Sequence, residues 1–580
     1  MHHVDRAIVI AYFIAVIAAG FWYQRRAAKN LESYFLGGKG IPWLMLAMSG
    51  GVSNFDITGT MFIVTLISYF GMNGMWYQWI WGFLMGAFFM AFMGKWIRRG
   101  GVMTGAEWMH TRFGLGRGGD FARLAYAVMA VVTLAAFIGY AFQGIGKFAN
   151  VYTGVDPRAC AAVIFAVTTL YVLLGGLYSV VLTDVIQTVV LSVAAFIIAG
   201  IAFASISPEM LAEKLPSGFA SLVPPWRLDA ATMERVAGTS YAGYEFFGAL
   251  TMVWIVKGLL LNLGGPAQMY DFQRFLAAKD PQDAEKIGAA WSFFLIPRWA
   301  MIMGIALLFL TGVAAVDDPE QVMPVVLQEH LPLGIRGLVI AGLLAAFMST
   351  FSSTINAAAS YLVRDIWQAF LKPDASERGL IVASYVATLG VVLIGVVIGL
   401  NAESIRAVFD WIMGALAAAF LIPNVLRWYW WRLNGWGYAV GTLAGLVAAL
   451  VVPFIDGLGP LYYSFPLVCV VSVLGTIGAT FAFAPTEKSV LTRFYETVRP
   501  FGAWGPVRDA VVLSEGGTPS DESATRAMVD VLLGIVLILG IYLGPMYFVG
   551  RWFAYAGIWL GLAAVAGFLL IRLRRARSDS

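Results

Sequence analysis

The stretch that decides the fold is LAMSGGVSNFDITGTMF, Leu46–Phe62. Both of its ends are apolar, as in a membrane helix, but its centre holds two glycines followed by Ser53, Asn54 and Asp56. Glycine weakens a helix, and Ser, Asn and Asp side chains compete for its backbone hydrogen bonds. Non-helical backbone at membrane depth is tolerated where it lines a cavity. We therefore expect a broken helix, with Asp56 either functional or paired with a neighbour.

The composition places the whole chain in a membrane. Of its 580 residues, 60% are hydrophobic and 12% are charged, whereas a soluble domain has about 25% charged residues. Fifteen apolar segments are long enough to cross a hydrocarbon core, which takes about 20 residues. None of them alternates as a strand would. The sequence predicts an all-α polytopic membrane protein with about 15 transmembrane helices.

The distribution of Lys and Arg predicts the orientation. Basic residues follow the odd-numbered spans, for example Arg274, Lys279 and Lys286 after the seventh. The loop AAVDDPEQVMPVVLQEHLP, residues 314–332, falls on the other side and has no Lys or Arg. By the positive-inside rule we expect an external N-terminus and a cytoplasmic C-terminus in the cell (inner) membrane.

Several chemistries are disfavoured by what the sequence lacks. None of the four histidines falls inside a predicted span, which argues against haem or copper enzymes. No phosphate-binding G-x-x-x-x-G-K-[ST] motif is present, which argues against a built-in ATP motor. What remains is a passive or gradient-driven membrane machine, a receptor, or an intramembrane enzyme.

A second polar segment is AAFMSTFSSTINAAAS, Ala345–Ser360, with five hydroxyls in six residues. At about 100° per residue, Ser349, Ser352 and Ser353 share one helix face, with Thr350 to one side. Close helix packing explains such a stripe. A cation site is the alternative, because hydroxyls and carbonyls are ligands for a hard cation such as Na+. That alternative requires a second helix facing the stripe.

Two further charges lie in apolar surroundings. Asp184 follows Gly175–Gly176, where we expect one helix to end, so Asp184 falls in the first turns of the next. Its spacing to Gln187 is that of a capping box, and the alternative is a carboxylate that neutralises a second cation. Lys257 lies well inside an apolar span and could pair with Asp56 or meet an anionic substrate group.

Five motifs now resemble one family. They are ESYFLGGKGIPWL, SNFDITG, GGLYSVVLTDVIQ, QRFLAAKD and LAAFMSTFSSTINAAASYLVRDI, in this order between about Ser33 and Arg432. Together they resemble the sodium:solute symporter family, which includes sodium/proline, sodium/galactose and sodium/sialic acid symporters. The resemblance implies the leucine-transporter (LeuT) fold, a 5+5 inverted-repeat core.

In this chain the core would carry one extra N-terminal helix and about four extra C-terminal helices. The expected organisation is an extra helix (1–30), a first core repeat (31–205), an extracellular loop (206–241), a second core repeat (242–432), peripheral helices (433–485), a flexible cytoplasmic linker (486–526) and a C-terminal helical pair with a basic tail (527–580).

The resemblance also implies where Na+ and substrate bind. A first Na+ would meet carbonyls of Asn54, Ile57 and Ala346 with hydroxyls of Ser349 and Thr350. A possible second Na+ would meet Asp184, Ser352 and Ser353. The expected substrate contacts are Asp56, Thr58, Thr60, Gln78, Lys257, Gln268 and Tyr270.

The expected function is Na+-coupled symport of a small polar organic solute, a sugar, an amino acid or a carboxylate, into the cell by alternating access. Its expected partners are Na+, the solute and the lipid bilayer, without nucleic acid and without enzymatic activity. One alternative is a proton-coupled transporter on the same fold, with Asp56 or Asp184 as proton carrier. Another is a transporter-like sensor without net transport.

Overall fold

The computed structural model describes residues 2–27, 40–79, 85–265, 271–312, 316–515 and 523–578. The named elements in these residues are helices, and one isolated parallel bridge joins Trp430 to Ala503. The all-α prediction is therefore confirmed. Twelve of the described helices are long and apolar enough to cross a membrane. The count of about fifteen spans stays a prediction.

The first half of the chain contains the predicted break. Its helices are α1 His3–Ala27, α2 Trp43–Ser53, α3 Ile57–Phe70, α4 Met85–Phe88, α5 Gly94–Arg99, α6 Trp108–Phe113, α7 Arg117–Thr153, α8 Pro157–Ser205, α9 Pro208–Lys214, α10 Ala230–Val236, α11 Phe247–Gly264, α12 Phe272–Leu276 and α13 Pro281–Trp291. Short 3-10 or π segments are Gly71–Trp79, Phe89–Met93, Ser240–Tyr244 and Ser292–Leu295.

The second half contains the hydroxyl-rich helix. Its helices are α14 Ile296–Gly312, α15 Val322–His330, α16 Ile335–Ser360, α17 Glu377–Asn401, α18 Ile405–Asp410, α19 Ala417–Tyr429, α20 Gly435–Val451, α21 Leu461–Ala482, α22 Lys488–Val498, α23 Gly505–Glu515, α24 Ala524–Val549 and α25 Phe553–Ser578. The 3-10 or π segments are Pro319–Gln321, Tyr361–Leu371, Trp411–Leu416 and Val452–Phe454.

Helix α16 lies at the centre of the packing. It contacts α1, α2, α7, α8 and α17. Nearly every side chain from Val339 to Ser360 is buried, including the whole hydroxyl stripe. A stripe buried on all sides must find its hydrogen-bond partners inside the protein. The polar face of α16 is therefore an internal surface.

Helix α8 differs from the expectation. Its backbone stays helical through Gly175–Gly176, where we expected one helix to end. A glycine in a helix costs only about 1 kcal/mol, and long apolar sequence on both sides supports continuation. Asp184 consequently lies in a helix interior, and its carboxylate accepts a hydrogen bond from Ser49. The capping-box interpretation of Asp184 is therefore wrong.

The segment predicted as a flexible linker is folded over most of its length. Helix α22 buries Leu491, Phe494 and Val498, and Trp504 is fully buried after it. The Trp504 indole donates to the carbonyl of Trp428 at 2.8 Å. The Arg112 guanidinium lies 4.8 Å from the centre of the Trp504 ring. Apolar residues at helical spacing in a polar surrounding were the signal that we missed.

This docking predicts the effect of Trp504→Ala. We expect it to lower the free energy of unfolding by about 3–5 kcal/mol, because a large buried side chain leaves a cavity and an unpaired carbonyl. The measurement is thermal unfolding of the detergent-purified protein. Trp226→Ala is the control, since 62% of Trp226 is exposed. Equal melting temperatures for the two variants would instead indicate a loosely attached linker.

Candidate functional site

The helix break lies where the sequence predicts it. Helix α2 ends at Ser53, α3 begins at Ile57, and the residues between them are not helical. Asp56 is the N-cap of α3, and its carboxylate accepts a hydrogen bond from the Gly59 amide at 2.6 Å. This carboxylate replaces the carbonyl that the preceding turn of an unbroken helix would supply to the Gly59 amide. The break therefore leaves backbone oxygens available inside the protein.

Asp56 pairs with a cation, but not with the expected one. The Arg298 guanidinium, from α14, lies 3.4 Å from the Asp56 carboxylate and donates to the Asn54 carbonyl at 2.6 Å. It also donates to the Thr60 hydroxyl at 3.1 Å. Arg298 thus stabilises both sides of the break. The signal for it in the sequence was an arginine inside an apolar span.

Lys257 lies elsewhere. Its ammonium is 5.4 Å from the centre of the Phe465 ring, on α21. Within the described part of the chain it has no hydrogen-bond partner. The expected Asp56–Lys257 pair is wrong, because Arg298 provides the positive charge that Asp56 needs. A contact between Lys257 and substrate stays a prediction.

Thr350, at the side of the hydroxyl stripe, faces the break, as a cation site there would require. The Thr350 hydroxyl lies 2.6 Å from the Ser53 carbonyl, across from α16 to the end of α2, and 3.2 Å from the Ala346 carbonyl. A cavity of about 20 Å³ lies beside this contact, and its lining includes Asp56, Ile57, Thr58, Thr350 and Thr354. Two elements distant in sequence thus meet through oxygen atoms.

A second cluster surrounds Asp184. The Ser49 hydroxyl donates to one carboxylate oxygen. The other carboxylate oxygen and the Ser349 hydroxyl are buried and lie beside each other, but neither forms a hydrogen bond of normal geometry among the described residues. Ser352 instead donates to the Ser349 carbonyl of its own helix at 3.0 Å. Asp184 and Ser349 therefore have free ligand capacity, whereas the Ser352 hydroxyl proton is already engaged.

Arg274 belongs to this cluster, although its position in the sequence suggested a loop. Only 1% of its side chain is exposed, so it is not one of the loop cations that set orientation. Its guanidinium donates to Ser353 at 2.8 Å and to Ser49 at 3.1 Å, and lies 3.8 Å from Asp184. No local pattern distinguishes it from the loop lysines that follow.

The remaining predicted substrate residues are only partly visible. Thr58 lines the cavity. Helix α7 approaches α3 so closely at this point that a Cβ atom added to Gly144 would overlap the Thr58 side chain. The Thr60 hydroxyl donates to the Asp56 carbonyl at 2.6 Å and accepts a hydrogen bond from Arg298. Its proton and one of its two acceptor lone pairs are therefore used inside the protein. Gln268 and Tyr270 lie outside the described residues, and the Gln78 side chain is not described either.

A polar clasp covers the other end of α3. Lys147 lies 2.7 Å from Asp318 and 2.6 Å from Glu320. Glu320 also accepts from the amide of Ile405 at 3.0 Å, at the start of α18. The Thr65 hydroxyl lies 2.7 Å from the Pro319 carbonyl. Residues 318–320 therefore tie α3, α7 and α18 together on the side that we expect to be external.

The Asp56–Arg298 pair predicts a coupled mutational effect. Arg298→Gln leaves the Asp56 carboxylate, which is 20% exposed, without its compensating charge, and we expect the protein to lose up to about 3 kcal/mol of stability. Asp56→Asn with Arg298→Gln should cost less than the sum of the single variants, because neither charge is then left alone. Thermal unfolding measures this, with exposed Arg227→Gln as the control. Additive losses would mean that the two side chains act independently.

The comparisons with known proteins agree with this geometry. Residues 34–445 match the model of the sodium:solute symporter family. Sodium/glucose cotransporter 4 of Danio rerio is 28% identical over 503 residues, which are 78% of this chain and 72% of that protein. The osmoregulated proline transporter OpuE of Bacillus subtilis (strain 168) is 25% identical over 457 residues, 76% of this chain and 87% of that one.

A solved structure is similar over most of its length. It is the substrate-bound outward-open state of a Na+-coupled sialic acid symporter, with a TM-score of 0.62 and 19% identity. The alignment covers 83% of this chain and 99% of that chain. At this identity the likeness shows the fold alone, and it confirms the LeuT-type architecture. Because the family match covers well over half of its length, the chain belongs to the sodium:solute symporter family and is a multi-pass, Na+-coupled transporter of small solutes rather than an enzyme.

Proposed function

We propose that this symporter moves a small polar organic solute, a sugar, an amino acid or a carboxylate, into the cell with Na+ by alternating access. The observation that carries the proposal is the contact between the Thr350 hydroxyl and the Ser53 carbonyl at 2.6 Å. It joins a helix end at membrane depth to a hydroxyl-bearing helix, and unwound carbonyls with facing hydroxyls are ligands for Na+.

The first Na+ would bind at this junction. Its ligands would be the carbonyls of Asn54, Ile57 and Ala346 and the hydroxyls of Ser349 and Thr350. The buried Ser349 hydroxyl forms no hydrogen bond of normal geometry, which leaves it able to bind an ion, and it also lies beside Asp184 at the second position. The Asn54 carbonyl already accepts from Arg298 at 2.6 Å, so Na+ would share that oxygen. The Ser53 carbonyl, which Thr350 already contacts, is the nearest alternative ligand.

Coupling would follow from the position of the ion between two elements. A ligand shifts a conformational equilibrium only by its difference in affinity for the two states. Na+ held by oxygens from both α16 and the break favours the state in which the two are close. Losing the ion to a cytoplasm low in Na+ would remove that preference and let the elements separate, which opens the solute site inward.

A second Na+ would bind at Asp184 with Ser353, and with Ser352 through its remaining lone pairs. The carboxylate oxygen of Asp184 that lacks a hydrogen bond supports this position. A carboxylate inside a membrane protein is costly unless a cation compensates it. The number of Na+ ions moved per cycle depends on whether this position fills during transport.

The solute would bind beside Asp56 and Thr58, with Gln78, Gln268 and Tyr270 completing the site and Lys257 and Thr60 as further contacts. The paired Asp56 and Arg298 side chains offer an acceptor and a donor at one place. Hydroxyls of a sugar, or the ammonium and carboxylate of an amino acid, could exchange hydrogen bonds with such a pair. Both chemistries occur among the relatives, by name a glucose and a proline transporter.

In the proposed orientation the protein lies in the inner membrane, with its N-terminus outside the cell and its C-terminus in the cytoplasm. Removing the buried Arg274 from this set of cations leaves two exposed lysines, Lys279 before α13 and Lys286 on α13, so the bias remains. The clasp formed by Lys147, Asp318 and Glu320 would then close the external side.

The test is stability in NaCl against KCl at equal ionic strength, with a panel of sugars, amino acids and carboxylates. A ligand that binds the folded state raises its stability by linkage. We expect Na+ to stabilise the protein, one solute to add to this only with Na+ present, and Ser349→Ala or Thr350→Ala to abolish both effects. Uptake into proteoliposomes with a Na+ gradient should show the same dependence.

Ser384→Ala is the matched control. Ser384 is buried on α17, and its hydroxyl donates to the Leu380 carbonyl of its own helix. It should keep the full response to Na+. If Na+ and K+ stabilise equally and uptake follows a pH gradient instead, coupling to Na+ is wrong for this chain, and the stripe of hydroxyls serves helix packing.

A further inference from the structure

The cluster around Asp184 contains a carboxylate that the proposed ion sites do not use. Asp271 precedes α12 and is fully buried. Its carboxylate lies 3.7 Å from the Arg274 guanidinium, one helical turn away on the same segment. Among the described residues neither of its oxygens accepts a hydrogen bond of normal geometry, although Asn54 lies beside it. Burying a carboxylate without hydrogen bonds costs free energy, so we expect this one to have a functional role or a compensating cation.

Arg274 lies between two carboxylates and forms a long ion pair with each of them. Its distances are 3.8 Å to Asp184 and 3.7 Å to Asp271, whereas its short hydrogen bonds go to Ser353 and Ser49. An arginine committed to one acid would form two short parallel hydrogen bonds with it. The observed geometry is that of a guanidinium shared between two acids at nearly equal distances.

The charges of this cluster do not balance. With both acids ionised, Asp184 and Asp271 contribute two negative charges and Arg274 one positive charge. One monovalent cation would neutralise the remainder. Such a cation at Asp184 would need the Ser353 oxygen that Arg274 now contacts at 2.8 Å. Two cations so close in a low-dielectric interior repel each other strongly, so Arg274 must withdraw when the ion arrives.

We propose that Arg274 is a built-in competitor for Na+ at Asp184, and that Asp271 receives its guanidinium when Na+ binds. The inference rests on the proposed second Na+ position and gives it a release mechanism. Side-chain rotation of Arg274 suffices, because Asp271 lies three residues earlier on the same segment. When Na+ leaves, the guanidinium returns to Asp184 and Ser353, so the Asp184 carboxylate is never left without a neighbouring cation.

Removing Asp271 should hold Arg274 at Asp184. For Asp271→Asn we expect the Na+ concentration that gives half-maximal stabilisation to rise by at least about tenfold, since the guanidinium loses its alternative partner. Arg274→Gln should lower that concentration, because it removes the competitor and leaves both acids. The double variant is compared with Arg274→Gln alone. Without the competing guanidinium, adding Asp271→Asn should raise the half-maximal Na+ concentration by much less than tenfold.

The experiment uses the full-length protein in detergent, titrated with NaCl at constant total NaCl plus KCl. Binding of radioactive 22Na+ is the second readout, and exposed Asp374→Asn is the matched control. If wild type responds to Na+ but Asp271→Asn behaves as Asp374→Asn, this inference is wrong and the proposed symport stands. If wild type ignores Na+, both fail.

Arg274→Gln keeps the inference testable on its own should Asp271→Asn not fold. An unchanged or raised half-maximal Na+ concentration in that variant excludes competition. Arg274→Lys keeps the charge, so a return toward the wild-type response separates loss of the competitor from a loss of packing.

Discussion

A charge inside a membrane protein must be compensated within the protein, and the architecture of this transporter follows from that constraint. Neither lipid nor bulk water is available to stabilise a carboxylate at that depth. Arg298 compensates Asp56, and Arg274 lies beside Asp184. Each pair joins helices that are far apart in the sequence. The charges therefore act as long-range constraints that hold the broken helix against its neighbours.

Such pairs are weak evidence for stability, because desolvation of two charges offsets much of their attraction. Their value here is specificity of position. The Arg298 guanidinium contacts Asp56, the Asn54 carbonyl and the Thr60 hydroxyl together, which defines the geometry of the break. An apolar replacement would fill the same volume but would leave the freed carbonyls without a donor. The break needs a donor, and arginine supplies several in one plane.

The sequence was a good guide where several local signals agreed, whereas the glycine pair Gly175–Gly176, without polar residues directly after it, did not end a helix. Glycines followed by short polar side chains predicted the break between α2 and α3, and the apolar segments predicted an all-α fold. Partners were not predictable, because an ion pair depends on tertiary contacts that no spacing reveals. Arg274 resembled a loop cation and Lys257 resembled the partner of Asp56, yet the structure buries the first beside Asp184 and places the second against Phe465. The docked helix α22 was missed because its polar composition concealed a narrow apolar face.

The two proposed ion positions are connected through one short helix. Ser49 and Ser53 lie four residues apart in α2, about one helical turn. Ser49 contacts Asp184 and Arg274, while the Ser53 carbonyl contacts Thr350. Any shift of α2 that opens one position must also disturb the other. Binding at one position then raises affinity at the other by the free energy of holding α2 in place, and the effect is reciprocal. The C-terminal end of α2 would therefore be sufficient to make Na+ binding at the two positions cooperative.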